Sequence, residues 1–169
     1  MKVNLEKTIV GAEEVEFLGF RISGLGIRRG PKKLAVLKRM KVLKTKKDRR
    51  SFIGSVTYLK EYIPYYAEIL KPLTMMLPSK AKFVWSKEAE TAAKQVVEVL
   101  ELNTRLEHVR EDKDLHLFTD ASDVGIGGAL LQFDRDDKDF ERPGVITFMS
   151  KTLTSQEAGH TTTEKEAYA

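Results

Sequence analysis

The hydrophobic period of this chain changes near residue 103, and no other property of the sequence constrains its fold so tightly. Before that point apolar residues recur at helical spacing: Phe52, Val56, Leu59 and Ile63 form one stripe, and Ala89, Ala93, Val96 and Leu100 form another. After it the pattern belongs to strands, with Leu115 and Leu117 before Thr119-Asp120, then Gly125 to Phe133, then Val145 to Met149. The expectation is an α/β chain in which a helical segment precedes a mixed sheet with flanking helices.

Local signals place the boundaries. Val15 to Ile22 reads as one strand that runs into the turn Ser23-Gly24-Leu25-Gly26, giving a hairpin that ends near Ile27. Pro31 suits a first helical position, and Val36, Met40 and Leu43 follow as the apolar stripe of a helix with a basic outer face. Asp48 is the expected N-cap of the second helix, which Pro64 stops, and Pro72 and Pro78 punctuate what comes next. Ser86, with Glu88 and Glu90 in the first turn, starts a third helix that ends near Asn103. Asp134 to Glu141 reads as an acidic hairpin loop. Thr161-Thr162-Thr163-Glu164 caps a last helix that has run barely one turn at Ala169, so the chain reads as a piece of something longer rather than as a frayed end.

Composition narrows the class. With 41% hydrophobic and 32% charged residues, 169 residues suffice for one ordinary domain or two small ones, and a disordered default is excluded. The absence of cysteine rules out disulfides, a thiolate nucleophile and any Cys-based metal site. No apolar run approaches the roughly 18 residues of a membrane span, and Met1 to Glu6 has no signal-peptide core, so an intracellular location, cytoplasmic or nuclear, is expected. The net charge of +4 hides a strong division. Between Arg28 and Arg50 twelve basic residues stand against the single Asp48, so that segment carries +11 and the remainder −7.

Several candidate motifs fail on spacing. Gly24-Leu-Gly26-Ile-Arg-Arg-Gly30 has its third glycine one residue late for a dinucleotide fingerprint, and a Lys-rich helix follows it. A calcium loop starting at Asp134 would need glycine at Asp139 and glutamate at Val145. His108, His116 and His160 share no metal-ligand spacing. The basic segment carries more. Arg28, Arg29, Lys32, Lys33, Lys38, Arg39 and Lys41, with Phe52, Tyr58, Tyr62, Tyr65 and Tyr66 nearby, suit a phosphate track, although a charge run also serves as a solvated face. Asp120 closes an apolar strand beside Ala121, Ser122 and the glycines 125, 127 and 128, leaving room for a divalent ion and its waters. An Asp closing a strand into a turn is also common, and the carboxylates of Glu164 and Glu166 could reach it only through the tertiary fold.

Seven tags occur in one order: Phe17-Leu18-Gly19-Phe20-Arg-Ile22-Ser23, Phe52-Ile53-Gly54, Tyr62-Ile63-Pro64, Lys71-Pro72-Leu73, Phe83-Val84-Trp85, Thr119-Asp120-Ala121-Ser122 and Glu164-Lys165-Glu166-Ala167. Together they resemble the reverse transcriptase–ribonuclease H region of gypsy-type LTR retrotransposons and their retroviral relatives. The resemblance implies three parts: residues 1–30 as the palm end with its primer-grip hairpin at Phe17, Leu18 and Gly19, residues 31–80 as a helical thumb-like segment, and residues 81–169 as an incomplete RNase H-like domain. It implies Asp120 and Glu166 as metal-binding carboxylates for two Mg²⁺ or Mn²⁺ ions roughly 4 Å apart.

By the same resemblance the polymerase Tyr-x-Asp-Asp motif lies upstream of Met1 and two further aspartates lie beyond Ala169. The parent would be a nucleotidyltransferase and endonuclease, with a template–primer duplex, an RNA–DNA hybrid and the rest of a polyprotein as partners and a cytoplasmic particle or the nucleus as its place. The chain alone is expected to be inactive, and the alternative is a non-catalytic nucleic-acid-binding module. Two positions depart from the family pattern: Phe20 stands where His is usual, and Ala92-Ala93 where Ala-Phe is usual.

Overall fold

The computed structural model describes residues 4, 8–39, 43, 45–75, 85–102, 105–137 and 139–169. Met40, Lys41, Pro78, Phe83, Val84 and Asn103, which the sequence reading uses, lie outside them.

The stretch expected as one strand from Val15 to Ile22 is two strands, Glu14–Phe17 (β1) and Phe20–Ser23 (β2). Leu18 and Gly19 both take positive φ, 50° and 81°, which a two-residue hairpin loop requires, and so the chain folds back with Phe17 paired to Phe20. Gly26–Arg29 (β3) follows and pairs with β2.

Pro31–Arg39 (α1) begins at Pro31 as expected, but its buried residue is Leu37, and Val36 of the expected stripe is 46% exposed. Leu34 and Leu37, three apart, meet the core, so the helix is rotated from the reading based on Val36. The second helix, Lys46–Thr57 (α2), is capped by Thr45 rather than Asp48. Asp48 takes the third helical position and closes a capping box: its amide donates to Thr45 Oγ1 at 3.1 Å and its carboxylate accepts from the Thr45 amide at 3.0 Å. The stripe of Phe52, Val56, Leu59 and Ile63 is buried throughout, although α2 stops at Thr57 and a 3-10 turn at Lys60–Tyr62 completes it.

Tyr66–Thr74 (α3) runs through Pro72, where sequence suggested a break. Burial of Ala67, Leu70 and Leu73 on one face holds the helix despite the missing N–H. Lys87–Leu102 (α4) starts as expected, with Ser86 Oγ accepting from the Ala89 amide at 3.2 Å, and buries Ala89, Ala92, Val96 and Leu100.

A strand absent from the sequence reading, Arg105–Leu106 (β4), then pairs with β3 and completes a sheet of order β1-β2-β3-β4. The second sheet holds Lys113–Ala121 (β5), Gly125–Asp134 (β6) and Gly144–Thr152 (β7) in that order. All described strands pair antiparallel: tight turns or hairpin loops join β1 to β2 to β3 and β5 to β6 to β7, whereas β3 and β4 pair antiparallel across the intervening helices α1 to α4. The last helix, Thr162–Tyr168 (α5), has the predicted capping box between Thr161 and Glu164.

The two sheets and the helices share a core. Leu106 of β4 joins the cluster of Leu37, Phe52, Val56, Leu70 and Val96, and Phe20 and Val145 pack on it. Beyond β4, the Glu107 amide donates to Val145 O of β7 at 2.7 Å. Gln132 of β6 is fully buried and donates to Glu107 Oε2 at 2.9 Å and His108 O at 3.0 Å, while its own oxygen accepts from the Arg110 amide at 3.1 Å. Residues 105–110 therefore stitch the hairpin sheet to the second sheet. Among the described residues no helix is long and apolar enough to cross a membrane.

Candidate nucleic-acid interface and carboxylate site

The Phe17-Leu18-Gly19 tip is apolar, exposed and tied down. Phe17 is 59% exposed and Leu18 69%, and Leu18 holds a left-handed φ that costs a branched side chain about 1–2 kcal/mol. Three contacts hold the tip in place. Tyr58 Oη of the segment after α2 donates to Leu18 O at 2.7 Å, and the Gly30 amide donates to Gly19 O at 2.8 Å. The Lys33 stem runs so close to Gly19 that a Cβ there would lie 2.8 Å from Lys33 Cε. Lys33 Nζ sits 4.3 Å from the centre of the Tyr58 ring, and Phe20 stacks on Tyr58 and Tyr62 with ring centres 5.1 and 6.1 Å apart. The aromatic at position 20, where the related pattern has His, thus belongs to a three-ring stack.

The predicted phosphate-binding cations divide by partner. Arg28, Lys32 and Arg39 are exposed, and among the described residues none is in an ion pair. Lys38 pairs with Glu101 of α4. Lys33 lies over Tyr58, and Arg29 is half-buried, with burial lowering its guanidinium pKa. Arg49, part of the same charge block, is 1% exposed. Tyr62, which donates to Ile27 O at 2.9 Å, is buried, and that burial pushes its phenol up to about 12.

Asp120 lies on β5, is exposed, and pairs in register with Gly127 of β6, which pairs with Ser150 of β7. It borders a cavity of about 120 Å³ walled by Pro64, Tyr65, Phe118 and Phe148, with glycines 127 and 128 as its floor. Tyr65, in a left-handed conformation at φ 52°, starts α3, and the Ala67 amide donates to Ser150 Oγ at 3.0 Å. The start of α3 is therefore seated on the sheet face that carries Asp120.

Glu166 is exposed on α5, which packs against β5. The one buried residue of α5 is Lys165, whose ammonium donates to Asp123 Oδ1 at 2.7 Å and holds that carboxyl below its ordinary value. At the other end Tyr168 bonds Lys151, whose register partner Ile126 lies on the face opposite Asp120. Glu157 accepts from Lys151, the Thr154 amide and Tyr168, and these hold it at about 2. Among the described residues no group of three or more His, Asp or Glu is arranged to hold a metal ion. The sequence pattern assigns Lys165 no role beyond its place in the tag Glu164-Lys165-Glu166-Ala167 and does not single out Asp123. A lysine between two glutamates on a short helix gives no sign that it faces inward.

Comparison with known proteins places these features. Residues 85–169 match the model of the RNase H-like domain found in reverse transcriptase. Over 180 aligned residues the chain is 31% identical to a retrovirus-related Pol polyprotein from transposon opus of Drosophila melanogaster, covering 100% of this chain and 17% of that protein. It is 28% identical to the transposon Tf2-3 polyprotein of Schizosaccharomyces pombe, over 99% of this chain and 12% of that one. Among solved structures, a foamy viral protease–reverse transcriptase in complex with RNA/DNA hybrid superposes with a TM-score of 0.73 at 24% identity, over 97% of this chain and 22% of the viral one. The same enzyme in complex with dsDNA gives 0.70 at 22% identity, over 91% of this chain and 31% of the viral one.

Proposed function

The chain belongs to the family of RNase H-like domains found in reverse transcriptase, and from that membership we propose that it grips a template–primer duplex for RNA-directed DNA synthesis and carries part of a carboxylate site that cleaves the RNA strand of RNA–DNA hybrids. Residues 1–30 supply the primer-grip hairpin, residues 31–80 the thumb-like helices and residues 81–169 the RNase H-like sheet. The observation that carries this reading is the hairpin tip: an exposed apolar pair in a strained turn, pinned by Tyr58 and Gly30, with the Lys33 stem against Gly19. Strain held by neighbouring structure is characteristic of ligand clamps. The complexes named for the foamy viral enzyme, with RNA/DNA hybrid and dsDNA, support the choice of ligand.

Asp120 and Glu166 are hard oxygen donors suited to Mg²⁺ or Mn²⁺ and are the residues that would hold it. When bound, such ions activate water and stabilise the leaving oxygen of phosphodiester cleavage. Two carboxylates are few against two dications beside a phosphate, so the chain alone binds duplex without cleaving it. A second reading, a non-catalytic nucleic-acid-binding module, is favoured by the seat of α3 on the Asp120 face and by Tyr65 in the wall of the cavity that Asp120 borders.

Two assays test these readings. Salt-dependent binding of a fluorescent template–primer duplex is expected, and binding that ignores salt would overturn the grip. Incubation of a labelled RNA–DNA hybrid with Mg²⁺ is expected to leave it intact. Cleavage that disappears in Asp120→Asn would reinstate activity in this chain and defeat the non-catalytic reading.

A further inference from the structure

The register of the first sheet places three arginines in one row. Arg21 of β2 pairs with Arg28 of β3, and Arg28 pairs with Arg105 of β4. Paired residues of an antiparallel ladder share a face, so all three stand on one side of the sheet. That side is the outer one: Phe20, Ile22, Ile27 and Leu106 alternate with the arginines, and Phe20 and Leu106 meet the core. Like charges directly opposite one another destabilise a sheet, and Arg28 faces one on each side. The only acid pairing the row among the described residues is Glu14, 3.7 Å from Arg21, with both side chains close to half exposed. Such a surface pair offsets little. Glu16 of β1, opposite Arg21, bounds the row at one end. At the other end Arg105 borders an open cavity of about 140 Å³ with Gly24, Leu25, Glu107, His108 and Arg110, where the Glu107 carboxylate accepts from Gln132.

We propose that Arg21, Arg28 and Arg105 form a phosphate-binding row that receives the backbone of one nucleic-acid strand across the outer face of the hairpin sheet. The inference rests on the duplex-grip reading and adds Arg21 and Arg105 to it, turning the track from the length of α1 to the width of the sheet. Neighbouring strands lie about 4.8 Å apart, so three residues span about 10 Å. Successive phosphates of one duplex strand lie farther apart than their axial rise of about 3.4 Å, because the strand winds around the axis, so about two phosphates fall within that span. Arginine suits the task, because its planar fork can take two phosphate oxygens at once. The repulsion stored in the free row is relieved when a polyanion lies over it. Arg105 comes from beyond α4, so the row makes the RNase H-like half of the chain part of the grip.

The test is equilibrium binding of a fluorescent duplex across a salt series by the full 169-residue chain, with Arg21→Gln, Arg105→Gln and the control Lys94→Gln. Each arginine variant is expected to bind several-fold more weakly, with the slope of log K against log salt reduced by about one. Lys94→Gln, on α4 and paired with Glu90 at 2.8 Å, should keep the wild-type slope. Melting temperature supplies the second readout: Arg105→Gln should melt no lower than wild type, because it removes a repulsive neighbour. Wild type that binds with a salt slope, beside arginine variants of unchanged slope and affinity, would overturn the row and leave the grip standing. Wild type that binds no duplex would overturn both. Polyglutamate displacing the duplex at equal charge concentration would overturn the assignment to nucleic acid and point to an acidic protein.

Discussion

Gly26 is where the link between the two sheets is most exposed to a single substitution. It has φ 126°, and a Cβ at that position would lie 2.1 Å from Leu106 O and 3.1 Å from Glu107 Cα. Both atoms are backbone of the β4 segment, so no side-chain rotation relieves the clash. In Gly26→Ala, either residue 26 leaves its φ or β4 leaves β3. An alanine that keeps φ 126° itself carries about 1–3 kcal/mol of strain, in a backbone conformation that side chains rarely adopt. Departure of β4 exposes Leu106, now 5% exposed and worth about 1.5–3 kcal/mol when buried, and loses the Ile27–Leu106 and Arg28–Arg105 pairs. With partial sharing between the two routes, a loss of about 3–5 kcal/mol is expected, which at this size lowers the melting temperature by about 10 °C. Thermal denaturation followed by circular dichroism measures it, with Gly24→Ala as the control. Gly24 has open space around it and no left-handed φ, and its substitution should change stability by less than about 0.5 kcal/mol. If Gly26→Ala melts within about 2 °C of wild type, β4 is not seated on β3 as described and the stitching of the two sheets through residues 105–110 is wrong.

Gly54 lies inside α2 with nothing within 4 Å of its missing Cβ, so Gly54→Ala should stabilise the chain by about 0.8–1 kcal/mol in a urea melt. Gln132→Ala leaves the Arg110 amide and the Glu107 carboxylate without their buried partner and is expected to cost about 2–4 kcal/mol by the same assay. Tyr62 ionises at about 12 in the fold, whereas an unfolded tyrosine does so near 10. The unfolded state thus releases its proton first, so the Tyr62 contribution to stability is fully present below about pH 10 and is lost between about 10 and 12, and Tyr62→Phe should show a shallower fall across that window.

The legible parts of the fold were those decided within a few residues. The Thr161–Glu164 capping box, the Ser86 start of α4 and the helical stripe from Phe52 to Ile63 depend on spacing, and the structure has them. The misread parts were decided by partners far along the chain. Val36 and Leu37 are both apolar neighbours, and only the position of α2 and α4 decides that Leu37 turns inward. Pro72 reads as a stop until Leu70 and Leu73 find a core to bury them. Arg105-Leu106 is too short to carry a period of its own and becomes a strand because Gly26 leaves room for its carbonyl.

Charge was misleading for the same reason. A count of twelve cations between Arg28 and Arg50 treats each as available, yet Lys38 is engaged by Glu101, Lys33 lies on Tyr58, Arg29 is half-buried and Arg49 is almost fully buried. Part of the block therefore fixes helices and the hairpin tip rather than facing solvent. The count also missed arginines outside the block, because Arg21 and Arg105 are 84 positions apart and become neighbours of Arg28 only through strand pairing. Attraction for a polyanion depends on cations that are free and aligned, and alignment is a property of register, which a linear charge sum does not contain. A surface of this kind is found by asking which like charges the fold has forced together without an opposing partner.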